Sequence, residues 1–486
     1  MTTSKFLAFD LGAESGRAII GIINDEKIVL DEIHRFYNKQ IKIENSNFWD
    51  VPFLFNEIKK GIKLAVSKGY KDIRSIGIDT WGVDFGMLGK DGKLLELPHT
   101  YRDNRTEGIP EKVFERISRR ELYELTGIQI MNINSIYQVY SIKLNNESLL
   151  KKCDKILFMP DLFNYLLTSK KKSEYTIAST SQLLNAKEKI FDERIFSALN
   201  LPLEITAPIV QPGTNIGQLS PELSKETGLD KVDVIAVGSH DTASAVAAVP
   251  DFGNDWAYIS SGTWSLLGIE SDIPLIDRQL KKEFTNEGGV NGKITFLKNI
   301  TGMWLVQEVK KVWAQNGENL DYDQIMDLAV KAKRFVSYID TDDNSFRNPE
   351  NMINAIDNFC KRTSQKVPVQ KGEYIRSVLE SLAYKYKVVL QNIEKVSGRK
   401  IDKIHILGGG SQNELLNQFT ADATGKKVFT GPVEATTLGN LTLQAISTGK
   451  IKSIKEAKEL IANSFHQNNY YPNKDEYERW NYIPDL

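Results

Sequence analysis

Residues 6–23, FLAFDLGAESGRAIIGII, set the fold class. Two apolar runs, FLAF at 6–9 and AIIGII at 18–23, read as strands, and the small polar DLGAESGR between them reads as a turn. Asp25-Glu26 makes a further turn into a third strand over 27–35, so the chain opens as a β-meander. A helix over 50–68 follows, ended by Gly69, then strands at 74–79 and 83–88 before the turn Lys90-Asp91-Gly92. VDVIAVGS at 232–239 is a short, nearly all-apolar strand of the kind buried on both faces, and HDTASAVAAV after it has helical composition. A strand running directly into a helix, repeated along the chain, is the α/β class.

The opening pattern recurs at 256–269, where WAYIS, the turn Ser261-Gly262-Thr263 and WSLLGIE repeat strand, small polar turn, strand. Later, the long helix-like stretch 373–396 precedes the strand KIHIL at 403–407, the triple glycine Gly408-Gly409-Gly410 and the helical NELLNQFTADATG. Two similar halves explain this best, with a connector at Pro250-Asp251-Phe252-Gly253-Asn254. At roughly 150 residues per domain the length alone allows two large domains or three ordinary ones. The expected division is 1–245 and 246–486, with the last helix able to pack back on the first domain.

Composition narrows the partners. The 62 Lys+Arg against 63 Asp+Glu leave a formal charge of -1, so no global field draws the protein to nucleic acid or an anionic bilayer. Cys153 and Cys360 cannot make a disulfide framework or a four-ligand zinc site, which suits a reducing cytoplasm. His34, His99, His240, His405 and His466 contain no i, i+4 pair for a transition metal. The N-terminus lacks a signal-peptide apolar core, and no run of about 18 apolar residues would span a membrane. Oligomeric state is not legible, because a dimer patch looks like ordinary surface apolar residues.

Three glycine-rich turns and one carboxylate carry the chemistry. In Asp10-Leu11-Gly12-Ala13-Glu14-Ser15-Gly16-Arg17, small residues let backbone N–H groups cradle phosphate oxygens, and an Asp at the strand end can hold magnesium through water. The same pattern also serves an ordinary hairpin. Ser261-Gly262-Thr263-Trp264-Ser265 is the matching turn of the second half, and the triple glycine lets a nucleotide approach the backbone closely or simply links strand to helix. Asp241, in Gly238-Ser239-His240-Asp241-Thr242, opens a helix, where the N-terminus stabilises an anion able to take a proton from a hydroxyl; a plain helix cap looks alike. Ile78-Asp79-Thr80-Trp81-Gly82-Val83-Asp84 offers polar groups and an aromatic platform for a sugar, or else a strand with a buried Trp and an edge Asp. Neither a Walker A sequence, a protein-kinase HRD or DFG set, nor a GxSxG elbow occurs.

These segments resemble the FGGY carbohydrate kinases of the actin-like ATPase superfamily, and among them the rhamnulokinase branch. The likeness runs through DLGAESGR, SIGIDTWGVDF, LPHTYRDNRT, MPDLFNYLLT, GSHDTASAV, SSGTWSLLG, LKNITGMWLVQ, GGGSQNELLNQ and GPVEATTLGN. It implies two actin-like (ribonuclease H-like) domains with a catalytic cleft, the first binding sugar and part of the phosphates, the second nucleotide. Ala13, Glu14, Ser15, Gly16, Arg17, Thr263, Gln307 and Gly409 would line the ATP site, with Asp10 near Mg2+. Gly82, His240, Asp241, Thr242 and Asn299 would contact the sugar, with Asp241 as general base. Glu14, Phe85 and Ser411 depart from the family pattern, and Glu14 puts a carboxylate in the phosphate turn.

The expected reaction is ATP-dependent phosphorylation of a ketose, with the resemblance implying L-rhamnulose to L-rhamnulose 1-phosphate. Rivals are another ketose or polyol kinase acting on L-fuculose or xylulose, a catalytically silent sugar sensor on the same scaffold, and an actin-like filament protein. Retention of Asp10, Asp241 and the three turns speaks against silence, and the TWGVD and His240-Asp241 segments against a filament.

Overall fold

The computed structural model describes residues 3–276 and 284–480. The chain forms two compact units: Met1–Pro250, Glu270–Phe296 and Ala435–Phe465 make the first, and Asp251–Ile269, Leu297–Glu434 and His466–Leu486 the second.

The first unit is built on a six-stranded sheet ordered Ile28–Tyr37, Ser15–Ile23, Ser4–Leu11, Ile73–Thr80, Asp233–Ala236, Thr214–Gln218. The opening meander is antiparallel, whereas Ser4–Leu11, Ile73–Thr80 and Asp233–Ala236 run parallel to one another. Parallel strands must be covered on both faces, which is why FLAF and VIAV carry almost no polar residue. The helix Val51–Ser67 covers one face. Asp50 caps it by accepting from the Phe53 N–H, Pro52 stands in its first turn, and Val51, Leu54, Ile58, Ile62 and Ala65 form the buried stripe. Gly61 lets it approach the sheet, since a Cβ there would lie 2.8 Å from the Phe9 ring. Burying each large side chain of that stripe contributes about 1.5–3 kcal/mol.

The helix Ala435–Ser447, late in the chain, packs within this same unit on Ser4–Leu11, Ile73–Thr80 and the helix Asp241–Ala247. Its buried face carries Asn440 and Gln444, both hydrogen-bonded through oxygen and nitrogen. Gln444 accepts from Ser75 Oγ (2.7 Å) and donates to the Leu7 carbonyl (3.1 Å) and to Asn440 Oδ1 (2.7 Å). A second core, around Tyr137, Phe158 and Phe196, supports the segment Ser173–Ser181.

The sheet of the second unit carries Trp264–Ser271, Trp256–Ser261, Lys403–Leu407, Lys427–Thr430 and Asn468–Tyr470 as neighbours in that order. The pairings repeat those of the first unit: antiparallel between Trp256–Ser261 and Trp264–Ser271, parallel onward to Lys403–Leu407 and Lys427–Thr430, antiparallel again at Asn468–Tyr470. The two sheets therefore share one pairing scheme. The long helix is Lys371–Ser397, closed by Gly398 in the left-handed region (φ 65°). The last described helix, Lys474–Arg479, packs on Glu414–Thr424 within the second unit.

Candidate functional site

Three adjacent parallel strands of the first unit end in acid. Asp10 and Asp79 face each other in register one residue before the ends of Ser4–Leu11 and Ile73–Thr80. Asp233–Ala236 is followed by Val237–His240, which stays beside the sheet through the Thr80 N–H bond to the Ser239 carbonyl (2.9 Å), and then by Asp241. The carboxyl ends of parallel strands are where open α/β sheets bind ligands.

Asp241 is the first residue of the helix Asp241–Ala247, with His240 in the N-cap position. Its side chain is 32% exposed, Thr242 Oγ1 donates to its Oδ1 (3.1 Å), and His240 Nε2 lies 3.5 Å from the same oxygen. Surrounding protein atoms push its pKa up; the His240 cation opposes that and the Asp10 charge adds to it. A carboxylate made more basic yet still reachable is suited to accept a proton. Asp79 is fully buried and pushed well above the usual carboxylate range, by burial first and then by Asp10. Asn440 Nδ2 donates to its Oδ2 (2.6 Å), while its Oδ1 has no hydrogen-bond partner among the described residues. Arg17, opposite Asp10 across the hairpin, pairs with the Asp10 carboxylate.

His240 is held at its backbone and its ring. Its N–H donates to Thr176 Oγ1 (3.1 Å), the Ser239 N–H to Glu174 (3.2 Å), and Glu174 in turn accepts from Thr176 and Ile177 N–H groups. Burial raises the pKa of Glu174 to about 7 against these donors. Gly82 backs onto the same place: a Cβ there would lie 3.3 Å from Thr180 and 3.4 Å from His240 Nε2. Of the five residues read from the sequence as one group, Gly82, His240, Asp241 and Thr242 thus come together, joined by Asp10 and Arg17, while Asn299 belongs to the second unit.

The turn after Asp10 is tied down by a residue the sequence did not single out. Asn38 donates from its N–H to the Glu14 carbonyl and from Nδ2 to the Gly12 carbonyl (both 2.9 Å). Gly16 is there for packing, because a Cβ would come within 2.3 Å of the Phe36 ring. Ala13 and Ser15 are partly exposed and Glu14 is exposed. The TWGVD segment bears out the buried Trp of the plain-strand reading and overturns both the open platform and the edge Asp. Trp81 is only 5% exposed and packs on Trp49 (centroids 4.1 Å apart), so it is no open platform. Asp84 is no edge residue: fully buried, it accepts from Trp49 Nε1 (2.7 Å), Trp81 Nε1 (3.1 Å), the Tyr101 N–H (3.0 Å) and Gln138 Nε2 (2.9 Å). Burial pushes its pKa up to about 6.

In the second unit, the Gly262-Thr263 turn is stitched to the start of the helix Trp304–Gln315, with Gly302 and Trp304 N–H groups donating to the Thr263 carbonyl (3.1 and 3.3 Å). Gln307 sits exposed one turn into that helix, and Asn299 lies part-exposed in Ile294–Thr301. The three glycines differ. A Cβ on Gly408 or Gly410 would press on Ser261, at 3.0 Å from its carbonyl oxygen and 2.0 Å from its Oγ respectively, whereas one on Gly409 would meet nothing within 4 Å. Gly409 alone presents open backbone.

Residues 5–248 match the N-terminal domain of the FGGY family of carbohydrate kinases, and residues 257–448 match its C-terminal domain. The chain belongs to this family. It is an ATP-dependent carbohydrate kinase. Its sequence is 46% identical over 469 residues to a rhamnulokinase of Bacteroides thetaiotaomicron, covering 96% of each chain. It is 40% identical over 461 residues to a rhamnulokinase of Bacillus subtilis, covering 95% of this chain and 94% of that one. The fold is that of xylulose kinase from Lactobacillus acidophilus (TM-score 0.82, 18% identity, covering 98% and 96%) and of gluconate kinase from the same organism (0.81, 19%, covering 99% and 96%).

The candidate site has donor chemistry that would suit a hard cation. Asp10 offers carboxylate oxygens, and beside it Asp79 keeps a buried oxygen without a hydrogen-bond partner among the described residues, a place where positive charge would be favourable. Among the described residues no three His, Cys, Asp or Glu side chains form a protein-built metal cage, so water and phosphate oxygens would supply the other ligands. No helix among the described residues is long and apolar enough to cross a membrane.

Proposed function

We propose that this kinase transfers the γ-phosphoryl group of ATP to the primary hydroxyl of L-rhamnulose, giving L-rhamnulose 1-phosphate. Seven curated relatives at 37–46% identity over nearly the whole chain are rhamnulokinases and support the sugar. The observation that carries the chemistry is the raised, part-exposed Asp241 carboxylate at the end of three parallel strands. Asp241 takes the proton of the hydroxyl as its oxygen bonds to the γ-phosphorus and the bridge to ADP breaks; His240 and Thr242 hold Oδ1, which leaves Oδ2 for the proton. Gly82 and Asn299 join His240, Asp241 and Thr242 in contacting the sugar. Ala13 to Arg17, Thr263, Gln307 and Gly409 contact ATP, and Asp10 holds Mg2+ through water, which neutralises phosphate charge when bound. Because the transition state for phosphoryl transfer is loose, these residues act mainly by placement and by charge. A cytoplasmic location, where ATP is supplied, belongs to the same proposal.

The test is ADP release across L-rhamnulose, L-fuculose, D-xylulose and polyols, with Asp241→Asn alongside. L-Rhamnulose should lead in kcat/KM by tenfold or more, and the variant should bind sugar and ATP while losing on the order of 10²–10⁴ in kcat. A different leading sugar removes the substrate assignment, and near wild-type turnover by Asp241→Asn removes the base.

A further inference from the structure

We propose that Glu287 is a positioning residue for phosphoryl transfer, clamping the His240 imidazole from the side opposite Asp241 so that the ring fixes the base. His240 Nδ1 lies 3.2 Å from Glu287 Oε2 and Nε2 lies 3.5 Å from Asp241 Oδ1, which makes a carboxylate–imidazole–carboxylate line. The His240 and Glu287 side chains are 9% and 8% exposed. The two facing atoms are not aligned as a linear hydrogen bond, and neither has a hydrogen-bond partner elsewhere among the described residues. Each is the other's counterpart.

Glu287 is placed by its neighbours rather than by its own side chain. In the strand Thr285–Gly288, the Gly288 N–H donates to Ser179 Oγ (2.7 Å) and the Asn286 N–H to the Gly127 carbonyl (2.9 Å). Gly288 is pressed on the Tyr175 ring, where a Cβ would lie 2.6 Å from Cε1. The segment that holds this strand, Tyr175–Ser179, also holds the His240 backbone through Thr176. One scaffold therefore sets both ends of the ion pair.

The charged groups facing His240 are Glu287, Asp241 and Glu174, with Asp10, Asp79 and Arg17 beyond Asp241. Burial by itself would lower the imidazole pKa; the Glu287 carboxylate, then Asp241 and Glu174, raise it to about 9. A doubly protonated ring donates from both nitrogens, so it can serve Glu287 and Asp241 together. Without the Glu287 charge the ring becomes neutral nearer pH 7, Asp241 loses its adjacent cation above that pH, and the alkaline limb of kcat/KM moves to lower pH.

This inference rests on Asp241 as base, and its test separates the two. With 13C-labelled histidine, the chain's five imidazoles are titrated by NMR, and His240→Asn identifies the signal. In the unaltered enzyme His240 should titrate near pH 9, and in Glu287→Gln below about pH 7, with kcat down tenfold or more, sugar KM changed less, and Glu287→Asp restoring part of both. A His240 that titrates below pH 7 in the unaltered enzyme overturns the clamp without any variant. So does an unchanged titration, or an unchanged kcat–pH profile, in Glu287→Gln. If Asp241→Asn keeps its turnover, the base assignment falls, while the titration still reports on the clamp.

Discussion

Asp84 is the sharpest place to ask whether a residue quoted from a sugar-kinase segment serves the sugar or the scaffold. Its Oδ2 accepts three donors, Trp49 Nε1, Trp81 Nε1 and the Tyr101 N–H, and its Oδ1 accepts Gln138 Nε2. In Asp84→Asn the amide oxygen can keep the three-donor position, which sets its NH2 against Gln138 Nε2. Gln138 cannot turn to help, because its Oε1 already accepts from Arg105 (2.6 Å) and its Nε2 also donates to the Ile133 carbonyl (2.9 Å). One buried donor is orphaned and three charge-assisted bonds become neutral, a loss of about 2–3 kcal/mol. Asp84→Ala orphans all four donors and opens a cavity beside Trp49, a loss of about 4–5 kcal/mol. At about 2 °C per kcal/mol for a unit of this size, melting followed by tryptophan fluorescence should fall by roughly 5 °C and 9 °C. The two tryptophans at the hub report directly on the region. A melting point for Asp84→Ala within about 2 °C of the parent refutes the scaffold reading. So does Asp84→Asn that melts normally but has lost sugar affinity.

Gly439 lies against the helix Asp241–Ala247, with a Cβ there 1.8 Å from the Ser244 carbonyl oxygen; Gly439→Ala should cost about 3 kcal/mol or more and lower kcat by displacing Asp241, read by urea unfolding and ADP release. The triple glycine should split by role. Gly410→Ala is expected to lose about 1–3 kcal/mol through its clash with Ser261, whereas Gly409→Ala, facing open space, should keep its stability within about 0.5 kcal/mol while raising the KM for ATP several-fold. Asp251 accepts from His405 Nε2 and pairs with Lys403 Nζ, each at 2.8 Å. Burial works to raise its pKa, but these partners win and hold it well below the usual carboxylate range. A depressed carboxylate stabilises the fold above its unfolded pKa and stops doing so as pH falls through the folded one. Asp251→Asn should therefore cost roughly 1–3 kcal/mol at pH 7, and urea midpoints should show the gap narrowing from about pH 4 downward.

What the sequence could show was governed by the range of the interaction involved. Strand, turn and strand over 6–23 and again over 256–269 are local patterns, and the two repeated sheet orders follow from them. The junction that carries Asp241 was legible for the same reason, since an apolar strand running into a small-residue helix announces itself. Trp81 was left open between platform and core, and Asp84 was misread as an edge residue, because the groups that bury them, Trp49 and Gln138, arrive from distant segments, and a Trp-Gly-Val-Asp string looks the same on an open face as in a core. Asn440 and Gln444 left a usable trace: two amides four residues apart, flanked by Leu438 and Leu441, mark a helix face that is buried yet needs polar partners. Glu287 left none.

That difference bears on how the base is set. A carboxylate at a helix N-terminus is stabilised as an anion, which lowers its basicity, whereas burial and, after it, the Asp10 charge act in the opposite sense. The balance is struck by the charge on His240, and that charge depends on a strand from far along the chain. Reading Asp241 from its local sequence therefore identifies the group without its proton affinity. If Glu287→Gln shifts the alkaline limb while Thr242→Val, which removes only the local hydroxyl bond to Oδ1, leaves the limb in place and lowers kcat modestly, the long-range pair sets the charge beside Asp241 and the local bond sets the rotamer. The reverse pattern in the two pH profiles would assign those parts the other way round.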